Sequence, residues 1–561
     1  MYKTIRNITI ATALLIASTA VKAQEYQVKV SEAQEPMDKG LYEPTWESLR
    51  QYETPEWFRN AKFGIWAHWG PQCVEGSGDW MAREMYIEGN GKYQYHRKHY
   101  GHQSEFGFKD ILPLFKAENW NPDELVRFYK ETVGAQYFFA LGNHHDNFDL
   151  WDSKYQEWNS MRIGPHKDIL DGWSKAARKA GLPFGISFHA DHAWTWYEPS
   201  RRFDLKGDMI GIKYDGWLTK EDGYRPNADG TEKWWKGLDP QKLYAQSHDF
   251  SDNTWDNGSI HRQWGWENGA AVPTREYITN FYNRTLDAIN RYNPDLIYFD
   301  VTVLPFYPVS DAGMKIAAHM YNKGLQGKGG KAKTKNVVFG KILTDSQKKA
   351  LVWDVERGAP NKIMEQPWQC CNCLGDWHYN NGVYQRGRYK SAATVAKLLV
   401  DIVSKNGNML LSVPLRADGT PDEKEIAILK EFGEWMRVNK ESIIGTRPWK
   451  IFGEGPIADA DIKINAQGFN DGQYTKAGAD EIRFTQTDKH IYATALAWPA
   501  DRKITIRSLA MGSRLYPEKI SKIELLGYGK VKFERKADAM TVYLPETATN
   551  SIMPVIRIKQ F

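Results

Sequence analysis

The chain has 561 residues, more than a usual single domain, so two globular units are expected. Hydrophobic residues make up 42% and charged residues 25%, which excludes a disordered chain and allows a sizeable core. The formal charge of +5 gives no reason to expect nucleic acid as a partner.

At the N-terminus Lys3 and Arg6 precede the apolar run ITIATALLIASTA, and Ala23 supplies a small residue at its end. This pattern predicts a secretory signal peptide over 1–23, cleaved before Gln24. Lys3, Arg6 and Lys22 leave with it, taking the charge from +5 to +2. The expected location is secreted, and periplasmic in a cell with an outer membrane. No later segment has the continuous apolar length of a membrane span, so no membrane insertion is expected after cleavage. The four cysteines, Cys73, Cys370, Cys371 and Cys373, are too few for a disulfide framework. The CCNC cluster lacks the paired spacing of a zinc knuckle and reads as buried thiols or one local disulfide.

From about residue 60 to 445, short buried runs alternate with amphipathic stretches. FGIWAHWG (63–70) predicts a strand, PDELVRFYKETVG (122–134) a helix and AQYFFALGNHHD (135–146) a strand with its loop. DGWSKAARKAGL (171–182) predicts a helix and PFGISFHADH (183–192) the next strand. A long insertion rich in Trp, Asp and Gly follows near 200–275, placed to wall a binding cleft. In 274–294, Ile278, Phe281, Tyr282, Leu286 and Ile289 recur at helical spacing, and DLIYFD (295–300) then predicts a strand. VVFG (337–340) and ALVWDVE (350–356) are further strands. A helix (391–407), a strand (408–415) and a last helix (423–439) close the region. Beyond Pro448 helical periodicity stops, and seven short strand-like runs separated by turn residues follow.

Buried strands alternating with helices mean a parallel sheet packed with helices. The expected fold is α/β: a TIM-like (β/α) barrel over 24–449, followed by a C-terminal antiparallel β-sandwich over 450–561. A doubly wound sheet would require a Gly-rich phosphate loop after the first strand, and none is present.

Polar residues repeatedly follow the strands: His68, His144 and His145, His189 to His192, Asp300 and Glu356. A barrel places its active site there. The residues alone support three readings. Asp300 and Glu356 are the carboxyl pair that glycoside hydrolysis needs, and the 23 tryptophans offer flat faces for sugar rings. His144-His145-Asp146 and His189-Ala190-Asp191-His192 are a ligand set for a metal-dependent hydrolase. The same groups are also ordinary strand-end caps and ion pairs.

Several long motifs in order then resemble glycoside hydrolase family 29, the α-L-fucosidases. WFRNAKFGIWAHWGPQCVEGSGDWMAREMY (57–86) resembles the opening barrel segment, GAQYFFALGNHHDNFDLWDSKYQEWNSMRIGPHKDIL (134–170) the histidine-pair segment, and NPDLIYFD (293–300) the nucleophile strand. VWDVERG followed by PWQCCNCLGDWHY resembles the acid/base segment, and 403–449 the closing stretch. The resemblance implies a retaining exo-α-L-fucosidase acting on a fucosylated or related α-L-glycan, without a cofactor. Asp300 would be the nucleophile and Glu356 the general acid/base. His68, Trp69, His144 and His145 would line the sugar pocket. Trp80 would help close it, and Tyr298 would lie beside the nucleophile.

The chain departs from the family pattern at several positions. Asp79 stands where a glutamate is common, and Ser187 and Phe188 replace a tyrosine pair, with His189 following. Lys341 is a loose candidate for an arginine upstream of the acid/base. Glu365 rivals Glu356, with Glu84 and Glu88 behind it. These departures leave open an α-L-galactosidase on the same scaffold, and a non-catalytic sugar-binding barrel is the remaining alternative.

Overall fold

The computed structural model describes residues 25–30, 34–252, 266, 269–327, 332–460 and 465–560. The expected signal peptide and part of the insertion lie outside them.

Eight runs with almost every residue buried form the parallel strands β1 (Phe63–Ala67), β2 (Tyr137–Asn143), β3 (Phe184–Phe188), β4 (Leu296–Phe299), β5 (Val337–Gly340), β6 (Val352–Glu356), β7 (Trp368–Cys373) and β8 (Gly407–Ser412). Each pairs with its sequence neighbours, and β8 returns to β1 with Phe63 opposite Met409, closing the barrel. Both faces of such strands are covered, which explains runs such as YFFALGN with no polar alternation. The interior is filled by aromatic rings. A Cβ on Gly64 would come 2.4 Å from the Tyr137 ring, so only glycine fits there.

Strand β7, WQCCNC, has no strand-like composition, yet all six residues are buried. Its polar side chains pair inside the barrel: Gln369 donates to Asp354 (2.9 Å) and accepts from the Tyr137 hydroxyl (3.0 Å). All four cysteines are free buried thiols, so no local disulfide forms.

The outer layer includes helices α1 (Pro122–Arg127), α2 (Ile169–Lys179), α3 (Arg275–Tyr292), α4 (Ala312–Lys323), α5 (Ala392–Ser404) and α6 (Glu423–Asn439). Asn121, Asp168, Thr274, Ser391 and Asp422 cap five of them with side-chain oxygens. Helix α1 continues as a π-turn over Phe128–Val133 before Gly134 ends it. The connections at 341–351 and 357–367 contain no α-helix.

Beyond the barrel lie a six-stranded and a three-stranded antiparallel sheet. The first runs Arg447–Glu454, Ile482–Gln486, His490–Ala495, Val555–Lys559, Ile523–Leu525 and Gly529–Lys530 in spatial order; the second runs Lys503–Ile506, Met540–Tyr543 and Lys532–Arg535. Phe484, Ile491, Ile556 and Ile558 from one sheet and Ile504, Ile506, Met540 and Val542 from the other share one core, which makes the pair a sandwich.

The described part of the insertion does not wall the cleft. It packs behind the loop after β1, where the buried Asp215 carboxylate accepts from Tyr86 (2.7 Å) and Tyr244 (2.5 Å) and pairs with Lys109 (3.2 Å). Asp204 likewise collects Tyr93 (2.7 Å) and Tyr214 (2.5 Å). No helix among the described residues is long and apolar enough to cross a membrane.

Candidate active site

The C-terminal ends of the strands surround a cavity of about 440 Å³. Its lining includes His68 after β1, His144 after β2, His189 after β3, Tyr298 and Asp300 at the end of β4, Lys341 after β5, Glu356 at the end of β6 and Cys371 in β7. Asp79 and Trp80 enter from the loop after β1, and Trp377 from the loop after β7.

Lys341 sits between the two carboxyl groups. Its ammonium bonds Asp300 Oδ1 and lies 2.8 Å from Glu356 Oε2. One nitrogen touching both carboxylates keeps them within two hydrogen-bond lengths, at most about 6 Å. That upper limit on the two bridged oxygens is compatible with the spacing of about 5–5.5 Å in a retaining site and lies below that of an inverting one, about 6.5–9.5 Å.

On its other side, Asp300 Oδ2 lies 3.1 Å from His145 Nε2, and His145 Nδ1 faces the His189 carbonyl at 2.8 Å. The carbonyl can only accept, so Nδ1 carries a proton. Burial pushes the Asp300 carboxyl up. The Lys341 ammonium, followed by His145 and His189, outweighs it and holds Asp300 well below the usual carboxylate range. Burial alone would lower the Lys341 ammonium, but Asp300 and Glu356 raise it well above its ordinary value. The site therefore carries an ionised Asp300 and a charged Lys341.

His68, His144 and His189, unlike Asp300, are held neutral. Burial pushes His68 and His144 well below the ordinary imidazole value, and His189 down to about 4. Among the described residues neither nitrogen of His68 or of His189 finds a hydrogen-bond partner, although His189 Nδ1 stands 3.5 Å from Asp300. Buried polar atoms left this way in a cavity wall are available to a ligand's hydroxyl groups.

His68, Asp79, His144 and His378 offer atoms within 4.8 Å of one another, a grouping a metal ion could use. The donor chemistry argues against it. The Gln72 amide nitrogen lies 2.8 Å from His144 Nδ1, so Nδ1 accepts and Nε2 keeps its hydrogen, leaving no lone pair for a metal. Asp79 Oδ1 already accepts a hydrogen bond from His378 Nδ1 at 2.7 Å.

Of the sequence candidates, His68, Asp79, Trp80, His144, His189, Tyr298, Asp300 and Glu356 line the cavity, and His145 supports Asp300 from beneath. Trp69 does not. Residues 68 and 69 point opposite ways, and the Trp69 ring packs among Phe115, Trp120 and Trp173 with Nε1 donating to the Arg416 carbonyl (2.8 Å). Glu365 precedes β7 and so sits at the opposite end of the barrel; Glu84 pairs with Lys92 outside the cavity, and Glu88 accepts from the Leu205 backbone. Ser187 and Phe188 are buried in the barrel wall, and only His189 reaches the cavity.

Trp66, Trp377, His378, Gln467 and Phe469 were not singled out from sequence. Trp377 and His378 follow a strand end like the other site residues, but that strand has no recognisable composition. Gln467 and Phe469 come from beyond the barrel and carry no local signal.

The model of the family described as α-L-fucosidase matches residues 29–441, and that of the α-L-fucosidase C-terminal domain matches 476–559. The tissue α-L-fucosidase of Rattus norvegicus is 23% identical over 499 residues, covering 87% of this chain and 84% of that one. The plasma α-L-fucosidase of Homo sapiens is 23% identical over 513 residues, covering 87% and 85%. Among solved structures, Thermotoga maritima α-fucosidase in complex with a mechanism-based inhibitor superposes with a TM-score of 0.65 at 24% identity, covering 92% of this chain and 100% of that one. The fold, the carboxyl pair at the strand ends and the family match over most of the chain agree: this protein is a glycoside hydrolase of the α-L-fucosidase family.

Proposed function

We propose that the enzyme releases terminal α-L-fucosyl residues with retention, using Asp300 as nucleophile and Glu356 as acid/base. The observation that carries these roles is the Lys341 bridge, which holds an ionised Asp300 and Glu356 within reach of one glycosidic bond. In the first step the Asp300 carboxylate attacks the anomeric carbon. The bond to the leaving oxygen breaks, and Glu356 protonates that oxygen. In the second step Glu356 takes a proton from water, the water oxygen attacks the same carbon, and the sugar–Asp300 ester bond breaks.

His68, His189 and the Asp79–His378 pair fit the sugar hydroxyls. Trp66, Tyr298 and Trp377 offer apolar surface for the C–H face and the C6 methyl. Asp79, one methylene shorter than glutamate, is met by His378, so the gap is filled rather than opened toward a larger sugar. We also assign the barrel to the chain up to about residue 449 and the sandwich to the remainder. The 1–23 pattern supports export, to the periplasm in a cell with an outer membrane.

The test is trapping with a 2-fluoro-α-L-fucosyl inhibitor followed by peptide mapping. Asp300 should carry the label, and Asp300→Asn should be inactive. Label on any other residue would overturn the assignment, and activity lost on thorough chelation would revive the metal reading.

A further inference from the structure

The two barrel connections without α-helices flank the acid/base, at 341–351 and 357–367. Residues 465–474, which lie between the two matched family regions, cover the strand ends there. The Gln467 side chain spans both strands, donating to the Lys341 carbonyl (3.1 Å) and the Asp354 carbonyl (2.8 Å) and accepting from the Glu356 N–H (3.4 Å). Asn470 and Ala359 exchange two hydrogen bonds of 3.1 Å. The Asp471 N–H donates to the Arg357 carbonyl (3.1 Å), and its carboxylate takes Arg357 Nε at 3.3 Å. Backbone contact is close enough that a Cβ on Gly358 would stand 2.1 Å from the Ala466 carbonyl oxygen. The segment is bolted to the loop that follows Glu356.

This anchoring holds Phe469 in an unusual state. Its φ is +51°, a left-handed conformation that bulky residues avoid, and the residue is 55% exposed at the cavity mouth. Ile342, next to Lys341, lines the same cavity and is 62% exposed. Two large apolar side chains left open at the rim of a polar sugar pocket, one held there by backbone strain, mark a contact surface. Both belong to segments that adjoin the acid/base, where the leaving oxygen departs.

We propose that Phe469 and Ile342 form the leaving-group subsite and take a hexopyranose through its apolar face, so that the segment between the first two strands of the sandwich sets aglycone preference. This rests on the reading of Glu356 as the acid. The test compares kcat/KM on α-L-fucosyl fluoride, whose leaving group has no ring, with that on whichever α-L-fucosyl–hexose disaccharide the wild type turns over fastest. Phe469→Ala should lower the disaccharide-to-fluoride ratio about tenfold, the scale of one lost apolar contact in a substrate pocket. Gly358→Ala, which pushes the segment outward without touching substrate, should lower the same ratio. Phe469 is a surface residue, and a thermal melt confirms that each variant is folded. A ratio unchanged in Phe469→Ala, or an equal fall on both substrates, would overturn the subsite while leaving the barrel site standing. Wild type silent on the fluoride would instead overturn the barrel-site reading and the subsite with it.

Discussion

Replacing Lys341 by methionine removes one charge and keeps an unbranched stem in its place. At 2.8 Å and an effective dielectric of about 20, the attraction to Glu356 is about 6 kcal/mol, a ceiling before desolvation is counted. Removing one partner of a buried pair costs about 3–5 kcal/mol in practice. A loss of that size is enough to change how the neighbouring carboxyls titrate. The sign follows from what Lys341 does. It favours the ionised form of Asp300, so without it the two carboxyls face each other uncompensated and Asp300 binds its proton more tightly. The acid limb of kcat/KM on nitrophenyl α-L-fucoside, which follows ionisation of the nucleophile, should move to higher pH. Stability gives a second readout. A depressed carboxyl stabilises the fold above its unfolded pKa and loses that contribution as pH falls through its folded value. The variant should therefore melt below wild type at neutral pH, with the gap closing as the medium is acidified below about pH 4. An acid limb that stays in place would refute the claim that Lys341 holds Asp300 ionised.

Two further outcomes follow from the same geometry. Glu356→Ala should lower kcat/KM on sugar leaving groups by about 10²–10⁴-fold but spare a dinitrophenyl α-L-fucoside, whose leaving oxygen needs no proton; equal losses on both would argue against Glu356 as the acid. Lys62→Met should stabilise the protein by a few kcal/mol at pH 7, because burial, aided by Arg447 and Arg59, pushes the Lys62 ammonium down to about 7. The charged form costs most below that value, so the gain in melting temperature should shrink as pH rises toward the lysine's ordinary range, and a pH-independent gain would refute it.

Much of the fold was legible because it rests on local pattern. Strands buried on both faces read as continuous apolar runs, as in FGIWA and LIYF, and helices such as α3 and α6 show their apolar faces by spacing. The same order places Asp300 and Glu356 at strand ends from sequence alone. Strand β7 was not legible, because its Gln369 and Cys371 are stable inside the barrel only through partners on other strands, Tyr137 and Asp354. Trp69 shows the limit on a single residue: sequence places it next to His68, but only packing decides that one points into the cavity and the other into the helical layer. What tertiary structure alone decided is the pairing across distance. Lys341 between two carboxyls, His378 on Asp79 and Gln467 on β6 join residues 15 to 299 positions apart. No local propensity encodes such contacts, since each group is stabilised by a charge or hydrogen bond that exists only once the barrel has closed.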